Sequence, residues 1–266
     1  MRIPEYLCMF FSSILPKKKF DGREGGELSY PEAQFKWASK NFELHEKYID
    51  LQGKDVLDAG CGPGGKTYFY SLRNCKSLTG IDIDEKRIAL AKEFTQDKGA
   101  NNINFMTGSL AELPFEDNSF DIIMMNDVVE HIDIKLLNSA LAECKRVLKH
   151  GGKLCAEFPP WTSYDASHML DYINIPWCQV FFSDKTLINV VKKIGVKENH
   201  IGTLNAIDHY LELNKITRKK FRKIINEIDY KIVLLEPRIL FNIRFIAYIP
   251  LVNKYLTRRV VSVLSK

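Results

Sequence analysis

Three alternating glycines, Gly60, Gly62 and Gly64, stand in the run Asp58-Ala59-Gly60-Cys61-Gly62-Pro63-Gly64-Gly65, directly after Val56-Leu57. A turn without side chains lets the backbone close on a ligand, and the N-terminus of a following helix adds positive potential. An acid, Asp82, lies about 20 residues further on, the spacing at which a carboxylate takes ribose hydroxyls. Dinucleotide sites use nearly the same arrangement, so the loop and the acid alone leave the ligand open between cofactors.

These residues need a parallel sheet to position them. Pro31 to Tyr48 reads as a helix, Asp55 to Asp58 as a first strand, Ser77 to Asp82 as a second, Glu85 to Lys98 as a helix stopped by Gly99, and Ile103 to Thr107 as a third strand. Phe120-Asp121-Ile122-Ile123-Met124-Met125 is a continuous apolar run, as expected of a central strand covered on both faces. Leu137, Ala140, Leu141, Cys144 and Leu148 make one helical stripe, ended by Gly151-Gly152, and Lys153 to Phe158 is a fifth strand before Pro159-Pro160. Residues 161 to 213 break the rhythm, with helix only around Asp184 to Ile194. Thr217 is an N-cap before the stripe Phe221, Ile224, Ile225 and Ile228. Tyr230 to Leu235 and Arg259 to Leu264 pair as an antiparallel end to the sheet. The expected fold is therefore α/β: an open, doubly wound, mostly parallel seven-stranded sheet with an antiparallel C-terminal strand, helices on both faces and a lid insertion after strand five. The chain divides into an apolar and basic segment 1–30, a core 31–160, an acceptor-side lid 161–213 and the rest of the core 214–266.

Four segments in order carry a family resemblance. Val56-Leu57-Asp58-Ala59-Gly60-Cys61-Gly62-Pro63-Gly64 resembles the first motif of class I, Rossmann-like, S-adenosyl-L-methionine (SAM)-dependent methyltransferases, and Gly80-Ile81-Asp82-Ile83-Asp84 resembles the second. Gly108-Ser109-Leu110-Ala111-Glu112-Leu113-Pro114-Phe115 is similar to the adenine loop. Phe120 to Ile123, followed by Asn126-Asp127-Val128-Val129-Glu130-His131-Ile132, is similar to the fourth strand and its loop. The resemblance implies SAM as cofactor, with Asp58 near the methionine ammonium, Gly60, Gly62 and the Gly64 turn at the methionine end, Asp82 on the ribose, Ser109 and Leu110 framing the adenine, and Asn126 beside the sulfonium. Many relatives carry an acid where Ser109 stands.

Methyl transfer is an in-line displacement at a carbon the sulfonium already activates, so positioning and exclusion of water dominate. A hydroxyl acceptor also calls for a base titrating near neutrality. His168, just beyond the fifth strand, is the first choice, where ligands of open α/β sheets bind, and His131 is the second; Asp165 and His209 follow. Trp161, Tyr164, Tyr172, Trp177, Phe181 and Phe182 suggest an aromatic lid over a small-molecule or glycan-type acceptor, half of them simply packing. A quinone or lipid-linked acceptor at a membrane surface is an alternative, and a non-catalytic SAM- or nucleotide-binding module is another.

Composition bounds the rest. The 266 residues suit one core with an insertion, and a net charge of +5 is far short of a dedicated nucleic-acid binder, so no nucleic-acid partner is expected. Six scattered cysteines form no CxxC pair and no carboxylate cluster stands out, so no metal site is expected. No stretch reaches the roughly 18 apolar residues of a membrane span, and the expectation is a cytoplasmic protein. The nearest stretch, Tyr6 to Leu15 with Lys17-Lys18-Lys19, reads as a docked helix in the first instance and as an interfacial anchor in the second, alongside the apolar segment Ile239 to Leu256.

Overall fold

The computed structural model describes residues 3–15, 30–195, 206–240 and 250–266. Helices α1 (Ile3–Ile14) and α2 (Tyr30–Phe42) precede the alternation β1 (Asp55–Ala59), α3 (Gly65–Ser71), β2 (Ser77–Asp82), α4 (Glu85–Asp97), β3 (Ile103–Thr107), β4 (Phe120–Asn126), α5 (Leu137–Val147) and β5 (Leu148–Phe158). Four short elements follow: α6 (Leu170–Ile173), α7 (Cys178–Phe181), α8 (Asp184–Ile194) and α9 (Ala206–Leu211). The chain then completes the sheet with α10 (Arg218–Glu227), β6 (Lys231–Ile239), α11 (Pro250–Leu256) and β7 (Thr257–Ser265).

The sheet order is β3-β2-β1-β4-β5-β7-β6, with β7 antiparallel to both of its neighbours and every other pair parallel. The seven strands, the doubly wound layout and the antiparallel end are those expected from the sequence. Alternate residues of the central strand serve opposite layers. Ile123 and Met125 of β4 pack with Leu137, Leu141 and Cys144 of α5 and with Phe221 and Ile225 of α10. Ile122 and Met124 pack with Phe42 of α2 and Phe69 and Tyr70 of α3. That two-sided burial is why β4 reads as an unbroken apolar run.

Local caps explain the helix starts. The side chains of Asp84, Ser183 and Thr217 accept the backbone N–H of Lys86, Thr186 and Lys220 at the heads of α4, α8 and α10. Two boundaries differ from expectation. Helix α2 ends at Phe42 instead of Tyr48, because the chain passes into tight turns, with Leu44 N–H donating to Asn41 and His45 N–H to Phe42, that bury Ile49 and Leu51. Helix α5 ends at Val147, not at Gly151-Gly152, since Leu148 already pairs with Phe120 and a register shift follows. Gly151, at φ 75, lies inside that irregularity of β5 rather than at a helix end.

The segment after β5 builds a separate apolar cluster. Met169, Ile173, Cys178, Leu187, Val190, Val191 and Tyr210 enclose Cys8 of α1. Helix α1 is fixed to α8 through Glu5, whose Oε1 accepts from Asn189 Nδ2 at 2.8 Å and whose Oε2 pairs with Lys193. Its outer side leaves Ile3, Tyr6, Leu7, Phe10, Phe11 and Ile14 exposed. Lys17 to Lys19 and residues 241–249 of the second apolar segment lie outside the described residues. Among the described residues no helix is long and apolar enough to cross a membrane.

Candidate functional site

The order in which strands are added reverses between β1 and β4, which are parallel neighbours in the sheet, and a cleft opens beyond their carboxyl ends, where open α/β sheets bind ligands. Its volume is about 1150 Å³. The glycine loop forms its floor. Gly60, Gly62 and Gly64 have φ of 77°, 53° and 82°, in the left-handed region that glycine enters without cost. A Cβ on Gly60 would stand 2.6 Å from the Val128 side chain, and one on Gly64 2.8 Å from Ala91, so the loop is pressed against β4's outgoing turn on one side and α4 on the other.

Asp82 ties this loop to the second strand. Its Oδ2 accepts the Gly62 N–H at 2.9 Å and its Oδ1 the Asp84 N–H at 3.0 Å. Gly60, Gly62, Asp82, Ser109, Leu110 and Asn126 all line the cleft, as do His131 and His168. Asp58 and Gly64 do not line it. Asp58 lies buried just beneath, accepting from Thr67 Oγ1 at 2.6 Å, and burial raises its carboxyl to about 6 against the opposing pull of that hydrogen bond and of Lys66.

Asn126 is held from both sides. Its carbonyl accepts Lys66 Nζ at 2.8 Å and its Nδ2 donates to Tyr70 OH at 2.9 Å, while its buried Oδ1 has no partner among the described residues. Lys66 Nζ reaches Asp127 Oδ2 as well, and the other oxygen of Asp127 pairs with Arg259 of β7. Burial alone would lower the Lys66 ammonium, but the charge of Asp127 reverses that and the net shift is upward. Burial likewise opposes ionisation of Asp127, and Arg259 with Lys66 overcomes it, so the carboxyl is held well below its ordinary range. Arg259 Nε also lies 3.8 Å from Glu157 of β5. The sequence reading did not single out Lys66, Asp127, Glu157 or Arg259. Lys66, two residues past Gly64, and Glu157, at a strand's carboxyl end, carried positional signals; Arg259, a hundred residues on, carried none.

The insertion contributes polar groups where aromatic rings were expected. None of Trp161, Tyr164, Tyr172, Trp177, Phe181 and Phe182 lines the cleft, and the inserted segment supplies Asp165, His168, His209, Leu211, Glu212 and Leu213. The rings pack elsewhere: Tyr164 lies edge-on to Trp177 at 6.0 Å, Trp161 lies 6.1 Å from Tyr210, and Trp177 Nε1 donates to the Tyr255 carbonyl at 2.9 Å. The aromatic surface that does face the cleft comes from Tyr30 and Trp37 of α2.

The structure gathers His131, His168 and His209, considered singly in the sequence, into one cluster. Ring centroids are 5.6 Å apart for His131 and His168, 5.0 Å for His131 and His209, and 4.5 Å for His168 and His209. Burial, reinforced by His209, pushes the His131 imidazole down to about 3, so it is neutral throughout the physiological range.

Residues 57–156 match the model of the methyltransferase domain family. The chain is similar to that family over this stretch, which runs from β1 into β5. It is 34% identical over 120 residues to a sterol 24-C-methyltransferase of Pneumocystis carinii, spanning 43% of this chain and 31% of that protein. It is 30% identical over 113 residues to the O-methyltransferase rstn1 of Aspergillus nomiae, spanning 42% of this chain and 49% of that one. The chain thus covers less than half of the length of these curated relatives. Its fold is similar to that of magnesium protoporphyrin IX methyltransferase from Synechocystis PCC 6803 with bound SAH, at a TM-score of 0.54 and 17% identity over 91% of this chain and 90% of that one.

Proposed function

We propose that this protein transfers a methyl group from SAM to an oxygen of a small-molecule or glycan-type acceptor. One observation carries the reading. A single cleft runs from the glycine loop and Asp82 to the histidine cluster, and its 1150 Å³ exceeds the ~300–1,000 Å³ of an ordinary small-ligand site, giving room for donor and acceptor together. The residues present fit the donor: the glycine floor accepts no side chain at Gly60, and Asn126, whose buried Oδ1 has no partner among the described residues, lines the same cleft. SAM, when bound, supplies a methyl carbon made electrophilic by the sulfonium.

The chain's own residues do the rest. Gly60 and Gly62 take the methionine end through their backbone, with the Gly64 turn and Asp58 behind them. Asp82 holds the ribose, and Ser109 with Leu110 frames the adenine. Asn126 stands beside the sulfonium. In the metal-free chain His168 is the group placed to receive the acceptor's hydroxyl proton, with His131, held neutral by burial, beside it. The described parts of the insertion, residues 161–195 and 206–213, close the acceptor side and exclude water.

Calorimetric titration with SAM and with NAD tests the donor: SAM is expected to bind and NAD is not, and tight NAD binding without SAM binding overturns the reading. An acceptor screen with radiolabelled SAM then tests the transfer.

A second reading rests on the outer face of α1, where six large apolar side chains are exposed. It gives the enzyme a lipid or quinone acceptor presented at a membrane surface, with carbon or oxygen as the nucleophile, and the sterol methyltransferase relative supports it.

A further inference from the structure

The three histidines are brought together from separate parts of the fold. His131 ends the turn that leaves β4, His168 belongs to the tight segment between β5 and α6, and His209 lies on α9. One ring nitrogen from each lies within 4.8 Å of the other two, and all three rings line the cleft. Convergence of three imidazoles from three elements, 37 and 41 residues apart in the sequence, is a different arrangement from one base with its neighbours.

Metal geometry gives a yardstick. Three imidazoles on one tetrahedral ion at about 2.0–2.1 Å place their nitrogens ~3.3 Å apart and their ring centroids ~5.2 Å apart. The observed centroid separations of 4.5, 5.0 and 5.6 Å scatter around that value. The nitrogens, within 4.8 Å of one another, must draw closer for all three to share one ion.

The backbone at His168 supports a built site. Its φ is 55°, a left-handed conformation that a residue with a Cβ rarely adopts and that persists where the surroundings fix it. The turn is closed by the His168 N–H on the Asp165 carbonyl at 3.1 Å, and it delivers the ring to His131 and His209.

We propose that His131, His168 and His209 form a binding site for a divalent transition-metal ion of the zinc class, with the remaining coordination position facing the cleft. Imidazole ligands suit zinc, copper, iron and nickel, and three protein ligands with one open position are the pattern of a site that takes substrate. The acceptor's place on the metal rests on the methyltransferase reading; metal binding does not. With the metal in place the imidazoles are ligands and not bases. An acceptor hydroxyl on the ion becomes more acidic and releases its proton to water, and the oxygen's electron pair forms the bond to the methyl carbon as the S–C bond breaks toward sulfur.

The test uses the full chain, stripped with a chelator and titrated with Zn²⁺ and with Co²⁺ in the absence of SAM and of any acceptor. One equivalent is expected to bind, with Co²⁺ giving the visible absorption of a low-coordinate nitrogen site. His209→Ala is expected to weaken binding about 100-fold or more. His168→Gly does the same while fitting the left-handed backbone, so its thermal midpoint holds or rises and loss of metal is not loss of fold. His150→Ala, an exposed histidine outside the cluster, changes nothing. Absence of stoichiometric metal, or unchanged affinity in folded His168→Gly, overturns the site whether or not SAM binds. If metal binds but SAM does not, the methyltransferase reading fails and the site stands.

Discussion

Lys66 Nζ lies 2.7 Å from Asp127 Oδ2, joining the first turn of α3 to the loop after β4 directly beneath the cleft. Lys66 is 9% exposed and has no other carboxylate in reach among the described residues, while Arg259 shares the same Asp127. Asp127→Ala therefore leaves buried Lys66 without its counter-ion and Arg259 with Glu157 alone, 3.8 Å away. The expected loss is about 2–4 kcal/mol in urea unfolding, at the lower side of what breaking a buried pair costs because Asp127 is partly solvated. An unchanged midpoint would show that the pair is incidental.

Gly60→Ala should damage the donor end specifically. The added Cβ meets Val128 at 2.6 Å and the residue must hold φ 77°, so strain and collision act together. Stability is expected to fall by about 1–3 kcal/mol and SAM affinity by at least tenfold. Adding Val128→Ala relieves the collision and restores part of the stability. Calorimetry on the three proteins reads both effects, and full SAM affinity in Gly60→Ala counts against a backbone cradle at this position.

Asp58 gives a pH signature. Its carboxyl rises from 3.8 to about 6 on folding, so the folded chain holds this proton more tightly than the unfolded one. Its stabilising contribution is complete below about pH 4, declines as the pH climbs through about 6, and stays lost above that. Asp58→Asn removes the decline and at pH 7 should unfold at higher urea, by about 1–3 kcal/mol. On the proposed role beside the methionine ammonium, the same variant binds SAM less well. Parallel urea curves at pH 4 to 7 for both proteins would contradict the assignment if their slopes against pH coincide.

The outer face of α1 separates the two acceptor readings. Replacing Phe10 and Phe11 by Asp leaves the buried Cys8 and the Glu5 pairing intact, so folding is expected to survive. If the acceptor is met at a membrane, the unmodified chain sediments with anionic vesicles and the double variant stays in the supernatant. No sedimentation of the unmodified chain removes the lipid reading.

The strands were legible because burial on both faces leaves a run such as Ile122 to Met125 with no polar interruption, and the glycine loop because its backbone demands are local. Boundaries at Phe42 and Val147 were not. There the apolar period continues past the last helical hydrogen bond, and turns or strand pairing take over the same buried side chains. The aromatic lid misled for a related reason: ring density marks a place that must be covered, and here Tyr164, Trp177, Trp161 and Tyr210 cover one another. The histidine cluster had no local signal, since its members meet only after β4, the segment beyond β5 and α9 are in place. Lys66 was within reach of sequence reasoning, as a buried-side lysine one turn into the helix that the glycine loop starts.

β7 sits between β5 and β6, although β6 comes earlier in the chain. Among the described residues β6 pairs with β7 and with no other strand, so it joins the sheet through residues 257–265, which pair with β5. The same insertion carries Arg259 to Asp127 and Glu157. Closure of the sheet and charge balance under the cleft thus depend on the same long-range pairing, and a partly folded chain with five strands would leave Asp127 with Lys66 alone and Glu157 without Arg259.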